Sequence, residues 1–421
     1  MNRKRIYAIL IATLFVCVGC TNTTVSRQTN KESITYKEFS ISEIYADGKY
    51  IDTYTSPSYD RIQIYPTSEF VYLYFSDWSC VYRKDDGTIA GLETPFCYDP
   101  LCRHDDVSCL TYSSSASLDM VGYDGKVYML TIGLEGGQHN FSIYDLASGK
   151  HEIADQFPAG GKIIARLGRF IYFWIQEALE DEVPGGQQKT VRHIYRYDIE
   201  TEKIEYLGER SSDISYRRVV ASHGEIYYLG DDNHLWNCDY NIQNVRKVIS
   251  KQISTYEIIG DKIYYLTLDL SGIGKLYCRD LDGVNEELLY ENVTWFCMDG
   301  ETMYYSVYDP IDGFAWDILK TDENGNRILQ TYTITVDHGN MIYTIPLEKI
   351  GSKGEAMKFC REFIDNDVYI GAAYTVYDGM LFTQFKESHI DGNKKGMLTG
   401  MLVMDMESGY EFRINTEVVM N

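Results

Sequence analysis

The chain has 421 residues, 44% hydrophobic and 14% aromatic, enough for two or three ordinary domains or one large array of repeats. Its 39 Lys and Arg face 62 Asp and Glu, a net charge of −23. Such a balance has no electrostatic footprint for nucleic acid and is repelled by anionic lipid and phosphate polymers; neutral glycans, cationic peptides, metal ions and other proteins remain as partners, and acidity also serves plain solubility.

The N-terminus places Arg3, Lys4 and Arg5 before an apolar run of 13 residues, 6–18, followed by Gly19 and Cys20. A spanning helix needs about 20 apolar residues, so this layout predicts a secretory signal over 1–19. Val18-Gly19-Cys20 resembles a lipobox, with Cys17 where that pattern carries Leu. The resemblance implies cleavage before Cys20 and its lipidation by palmitate-type chains, two or three in such lipoproteins, where a single chain would hold only marginally. The expected location is the extracytoplasmic face of a cell membrane; the plainer alternative is an ordinary signal peptide with an incidental cysteine. Loss of Arg3, Lys4 and Arg5 takes the mature charge from −23 to −26. Residues 21–33, TNTTVSRQTNKES, are polar and aperiodic, so 20–45 is expected to comprise a flexible tether and a closing strand. The closing strand would come from 36–54 and seal a ring against 372–419.

From there one pattern returns. A turn of Asp, His or Gly leads into an alternating strand rich in Tyr: SEFVYLYF at Ser68, DGKVYML at Asp124, GRFIYFW at Gly168, HGEIYYL at His223, GDKIYYL at Gly260, DGETMYY at Asp299, HGNMIYT at His338 and DGMLFTQF at Asp378. Period-2 alternation between Gly/Asp turns marks half-buried strands, and the 37 Tyr suit it, since a ring packs while its hydroxyl stays wet. From His223 onward the spacing is 37, 39, 39 and 40 residues. A second element follows each Tyr strand and ends in a charged turn: CVYRKDDG, SIYDLASGK, IYRYDIETEK, LWNCDYN, LYCRDLDG, ILKTDENGN, MKFCREF and LVMDMESG. A period near 40 with several short strands per unit predicts an all-β fold, a β-propeller of eight blades, or seven, each a four-stranded antiparallel sheet. One domain over 46–421 follows, because a lone blade cannot bury both faces while stacked blades can. The closed ring is expected to be a monomer.

The DG-x-I-Y-Y and L-Y-x-x-D-x-D-G units resemble the propeller repeats of uncharacterised clostridia-type lipoproteins and, more loosely, TolB-like and YWTD-like propellers. The resemblance spans about residues 60–416. It implies the fold and carries no catalytic residues over.

An insertion at 95–110 interrupts the first two units with PFCYDPLCRHDDVSC, placing Cys97, Cys102, His104 and Cys109 together, with Cys80 as a further thiol. Three thiolates and an imidazole can complete a zinc shell, but this spacing matches no common zinc motif, and neighbouring cysteines in an exported protein more often form disulfides. Disulfide staple, zinc site and free thiols all stay open, and no cofactor is otherwise expected. Cys238, Cys278, Cys297 and Cys360 sit in strand-like segments, where buried Cys serves as a small hydrophobe. Acidic turns at Asp280–Gly283 lack a calcium-loop register, and His223 and His338 occupy turn positions. Trp78, Trp174, Trp236, Trp295 and Trp316 could stack on sugars, though blade packing explains most such Trp.

No nucleophile elbow, zincin helix or phosphate loop is present. The expected function is therefore a ligand-binding or protein-interaction scaffold at the cell envelope, with an envelope protein or glycan as partner and no nucleic acid. A surface hydrolase or lyase acting on glycan or peptidoglycan from the propeller channel is the alternative. The insertion at 95–110 and the loops at 177–190 and 309–315 are the expected specificity elements.

Overall fold

The computed structural model describes residues 37–46, 49, 63–66, 71–74, 78–83, 89–92, 119–132, 138–145, 148, 150–178, 190–211, 216–268, 273–308, 315–321, 327–333, 341–360, 368–391 and 394–420. The chain divides into residues 1–37 and a compact unit over 38–421, and everything below concerns the second.

Four-stranded antiparallel sheets follow one another in chain order, each with its strands in sequential order. The first is β1 (Gln63–Pro66), β2 (Val71–Tyr74), β3 (Trp78–Arg83) and β4 (Ile89–Leu92). The second is β5 (Asp119–Tyr123), β6 (Lys126–Ile132), β7 (His139–Asp145) and β8 (His151–Phe157). The third is β9 (Gly161–Leu167), β10 (Phe170–Ala178), β11 (Thr190–Asp198) and β12 (Lys203–Ser211), and the fourth β13 (Arg217–Ser222), β14 (Glu225–Leu229), β15 (Leu235–Cys238) and β16 (Arg246–Ile249). Next come β17 (Thr255–Ile259), β18 (Lys262–Leu268), β19 (Gly274–Asp280) and the long β20 (Glu287–Asp299). β20 pairs with β19 up to Val293 and from there with β21 (Thr302–Val307), so it closes the fifth sheet and opens the sixth. The corner is at Asn292, whose φ of 59° lies in the left-handed region that Asn tolerates. After the hairpin β22 (Ala315–Thr321) and β23 (Arg327–Thr333), the sixth sheet ends with β24 (Ile342–Pro346) and β25 (Glu355–Ala356). The last sheet is β26 (Val368–Tyr377), β27 (Met380–Asp391), β28 (Lys394–Asp405) and β29 (Glu411–Met420).

The first strands of neighbouring sheets touch in succession, and β29 returns to β4, so the sheets form a ring of the β-propeller type. The innermost strands are buried: β9 from Ile163 to Leu167, β17 from Thr255 to Ile258, β20 from Val293 to Cys297. The outer strand β8 is exposed at all positions but Phe157. Apolar clusters fill the spaces between sheets. Phe141, Ile171 and Phe173 pack between the second and third, and Leu229, Tyr256 and Tyr265 between the fourth and fifth. Each fully buried side chain of this size stabilises by about 1.5–3 kcal/mol before ordering entropy is counted, which is why no sheet stands alone.

The turns follow from residue type. Asp124-Gly125, His223-Gly224 and Asp378-Gly379 have positive φ at both positions, as a two-residue hairpin turn matched to strand twist requires. His223 is thus a turn residue, as its place in the repeat implied. Asp280–Gly283 is also a hairpin turn: the Gly283 amide donates to the Asp280 carbonyl at 3.0 Å.

The expected ring of four-stranded antiparallel sheets is present. Among the described residues there are five four-stranded sheets, a seven-stranded sheet in which β20 serves two four-stranded units, and a two-stranded hairpin, which fits seven units, the smaller of the two expected counts. The HGNMIYT copy at His338 does not open its own sheet, because its strand β24 pairs with β21, the strand of the DGETMYY copy. In the 39-residue interval the described residues include β22 and β23, which pair with each other as a two-stranded sheet. Of MKFCREF, 358–360 are helical and 361–363 lie outside the described residues. Among the described residues of 36–54, 41–45 form a short helix, α1 (Ile41–Tyr45); residues 36, 47, 48 and 50–54 of the expected closing segment lie outside the described residues. Ser40 and Glu43 make a capping box: the Glu43 amide donates to Ser40 Oγ at 3.3 Å and the Ser40 amide to Glu43 Oε2 at 2.8 Å. Ser40→Ala is expected to cost α1 about 1 kcal/mol. Amide exchange at Ile44 should then quicken about fivefold while the global urea midpoint stays put.

Candidate functional site: two unlike faces of the ring

Antiparallel order divides all connections between two faces. First-to-second and third-to-fourth strand connections lie on one face, the turn face; second-to-third and sheet-to-sheet connections lie on the other, the insertion face. On the turn face the sheets from the second onward have two-residue first turns, and the third-to-fourth connections run from four to eight residues. Every connection longer than eight residues joins strand ends on the insertion face. These are 93–118 between β4 and β5, 179–189 between β10 and β11, the β22–β23 hairpin with its flanks, and 357–367 before β26. The three expected specificity elements, 95–110, 177–190 and 309–315, are therefore all carried from this face, although most of their residues lie outside the described set. Tight turns leave no room to vary, whereas loops at the open end lengthen without disturbing the sheets.

The described rim of the insertion face carries paired aromatic and cationic side chains. The Arg192 guanidinium lies 4.5 Å from the centre of the Trp174 ring, and Lys247 Nζ 4.7 Å from that of Trp236. Trp236 Nε1 donates to Asp232 Oδ1 at 3.0 Å, and the His234 amide to the same oxygen at 3.1 Å. Burial acts to raise the Asp232 pKa, but these donors and Lys247 outweigh it and hold the carboxyl at about 2. It stays ionised across the physiological range. On the other face of the same sheet, His193 Nε2 meets Glu177 Oε2 at 2.8 Å and His193 Nδ1 meets the Tyr206 hydroxyl at 3.1 Å. Both Trp are half-buried, each with a cation on its ring. Trp295 differs: it is buried on the inner wall and its Nε1 donates to the Tyr374 carbonyl. Trp78 and Trp316 lie on β3 and β22.

Polar groups on the inner strands stitch one sheet to the next. Arg166 on β9 lies 5.2 Å from the centre of the Tyr123 ring on β5. Arg218 on β13 pairs with Glu257 on β17 and donates from Nε to the Tyr256 carbonyl at 2.6 Å, while Tyr256 Oη donates back to the Arg218 carbonyl. Glu257 also accepts the Met298 amide of β20, and Asp299 Oδ2 accepts the Gly379 amide of the last sheet at 2.8 Å. Burial pushes the Glu257 carboxyl up, and Arg218 only partly offsets it. These residues went unnoticed in the sequence because Arg218 and Glu257 read as ordinary polar positions of alternating strands; their pairing joins positions 39 apart.

Of the residues singled out for chemistry, Cys20, Cys97, Cys102, His104 and Cys109 lie outside the described residues, and Cys80 is on β3. Among the described residues no three His, Cys, Asp or Glu gather as metal ligands do, and no helix is long and apolar enough to cross a membrane. Cys238, Cys278, Cys297 and Cys360 are free and buried, and burial raises all four thiols, that of Cys360 to about 12. The thiolate is the reactive form. Alkylation of the native protein at pH 8, mapped by mass spectrometry, is therefore expected to leave these four unmodified until denaturant is added.

The chain matches no family model and no curated protein. Among solved structures it is similar to a prolyl endopeptidase at 12% identity and a TM-score of 0.42, over 90% of this chain and 52% of that one. It thus spans about half the length of that enzyme. It is also similar to the β-propeller domain of the Trilobed protease from Pyrococcus furiosus, which has an open velcro topology. That match has 14% identity and a TM-score of 0.39, over 71% of this chain and 97% of that one. A third is the uncharacterized protein lmo1340 from Listeria monocytogenes, at 12% identity and a TM-score of 0.37, over 70% and 80% of the two chains.

Proposed function

We propose that this protein is a lipid-anchored propeller scaffold on the extracytoplasmic side of a cell membrane, holding an envelope protein or a glycan on its insertion face. The observation that carries the reading is the gathering of all long connections on one face of the ring, beside the Trp174–Arg192 and Trp236–Lys247 pairs. Flat aromatic surfaces beside hydrogen-bonding side chains suit sugar rings and protein loops alike. The basic-apolar-Gly-Cys start supplies the anchor, with Cys20 as the acylated residue. For the insertion, whose cysteines lie outside the described residues, the same reading takes a disulfide staple among Cys97, Cys102 and Cys109 with Cys80 as a further thiol; a zinc shell including His104, or free thiols, are the other uses.

Two measurements test this. An alkyne-bearing palmitate analogue should label the wild-type chain in cells and fail to label Cys20→Ser. A photo-cross-linking residue at Glu177 or Asp231, on the insertion face, should capture envelope components that one at Asp261 or Glu407, on the turn face, does not. Equal capture from both faces would remove the assigned binding face.

A further inference from the structure

The chain reaches the ring from an unexpected side. β1 is the first strand of its sheet, and first strands run from the insertion face to the turn face. Left to its strand order, the N-terminal tether would join the ring on the insertion face and draw that face toward the membrane. Residues 38–46 prevent this by docking on the turn face of the third and fourth sheets.

Four contacts define the dock. Phe39 packs edge-on against Phe170 at 4.8 Å, with the guanidiniums of Arg196 and Arg169 at 4.9 and 5.3 Å from its ring centre. Ile44 is fully buried, and its carbonyl accepts the Arg169 amide at 2.9 Å in the β9–β10 turn. That approach requires Gly168: its φ is 58°, and a Cβ there would stand 2.5 Å from the Ile44 carbonyl oxygen. Tyr45 and Tyr240 join hydroxyls at 3.3 Å, and Lys49 reaches Glu200 at 3.6 Å. Gly168-Arg169, Glu200 and Tyr240 all belong to turn-face connections.

We infer that residues 38–46 are an orienting clasp, which moves the tether's attachment to the turn face so that the insertion face looks away from the membrane. This inference rests on the lipid anchor proposed above. The geometry permits it. Strands of seven to nine residues separate the faces by about 25–30 Å at 3.3 Å per residue, and the polar composition of the 17 residues from Cys20 to Tyr36 would give a coil with an r.m.s. reach of about 20–25 Å. The anchor cannot readily wrap the ring and bring the far face down. The 16 residues of 47–62 span at most about 55 Å when extended, which is enough to lead from the clasp to β1.

The test uses the full lipidated chain on neutral phosphatidylcholine vesicles carrying an acceptor lipid. A fluorescent amino acid is placed by amber suppression at Glu407, on the turn face, or at Asp231, on the insertion face. Energy transfer should be at least about threefold stronger from position 407. Phe39→Ser with Ile44→Asp should abolish or reverse the difference, and so should Gly168→Ala, a milder change that keeps α1 intact and is read with the unfolding midpoint as a folding control. Equal transfer from both positions in the wild type, or a difference that survives loss of the clasp in a folded variant, overturns the inference. Failure of the chain to join vesicles at all instead removes the lipid anchor, so the two readings fail separately.

Discussion

Arg218→Met is expected to destabilise the ring by about 3–5 kcal/mol, the usual cost of stranding one member of a buried ion pair. The side chains of Arg218 and Glu257 are 7% and 9% exposed, and together they tie the fourth sheet to the fifth and, through the Met298 amide, to the sixth. Arg218 reaches across because β13 is bulged there and its φ is 48°, a left-handed conformation outside the ordinary range for Arg. Bulges re-aim side chains, and this one turns the guanidinium toward the next sheet. The double replacement Arg218→Met with Glu257→Leu should regain most of the loss, because no charge is left unpaired. Urea unfolding of the single and double variants decides it: equal destabilisation of both would mean that packing, not the charge pair, holds the sheets.

The single variant should also be pH-dependent. Burial already raises the Glu257 carboxyl. Without Arg218 it rises further, so the folded pKa lies well above the unfolded one. Such a group costs nothing below its unfolded pKa and costs most once pH has risen through the folded pKa. The gap between Arg218→Met and the wild type should therefore be small near pH 4 and widen toward pH 8. The buried thiol of Cys297 is the other titratable group coupled to this carboxylate, and burial keeps it protonated over that range.

Arg196→Ala should cost a similar amount, about 3–5 kcal/mol. Arg196 is 1% exposed and heads the fully buried side chains by size. Its guanidinium pairs with Glu205, donates to the Tyr240 carbonyl and to Asn241 Oδ1, each at 3.0 Å, and lies 4.6 Å from the Phe170 ring centre. One planar group thus serves the third sheet, a turn of the fourth and the Phe39 ring. Arg196→Lys should recover less than half of the loss, since an ammonium cannot fork to three acceptors while stacking on two rings. Thermal unfolding gives the global effect. Hydrogen exchange over 39–46 should quicken in both variants as the clasp loosens; unchanged exchange there would separate Arg196 from the clasp.

The repeat was legible where one local rule governed each element. The Asp, His or Gly turns, the alternating Tyr strands and the following strands all appear together in the second to fifth and the last units, because turn chemistry and side-chain period are properties of neighbouring residues. The sixth unit misled. HGNMIYT has the same local pattern as its relatives, and only pairing with β21 shows that it is a third strand rather than a second. The capping box Ser40-x-x-Glu43 is a local helix-start signal that the reading of 36–54 as a strand passed over. The candidate cysteines were found by spacing, whereas Arg196, Arg218, Glu257 and Phe39 had no local mark, since each matters through a partner on another sheet.

What the sequence by itself determined is thus the strand content, the turns and the repeating order of strands within a unit. What only the tertiary structure decided is the number of units, the side of the ring from which the long connections leave, and the docking of residues 38–46 opposite them. The physical reason is range. Alternation and turn conformation are set over a few residues, while which strand pairs with which, and which buried charge finds its partner, depends on surfaces that come together only when the ring closes.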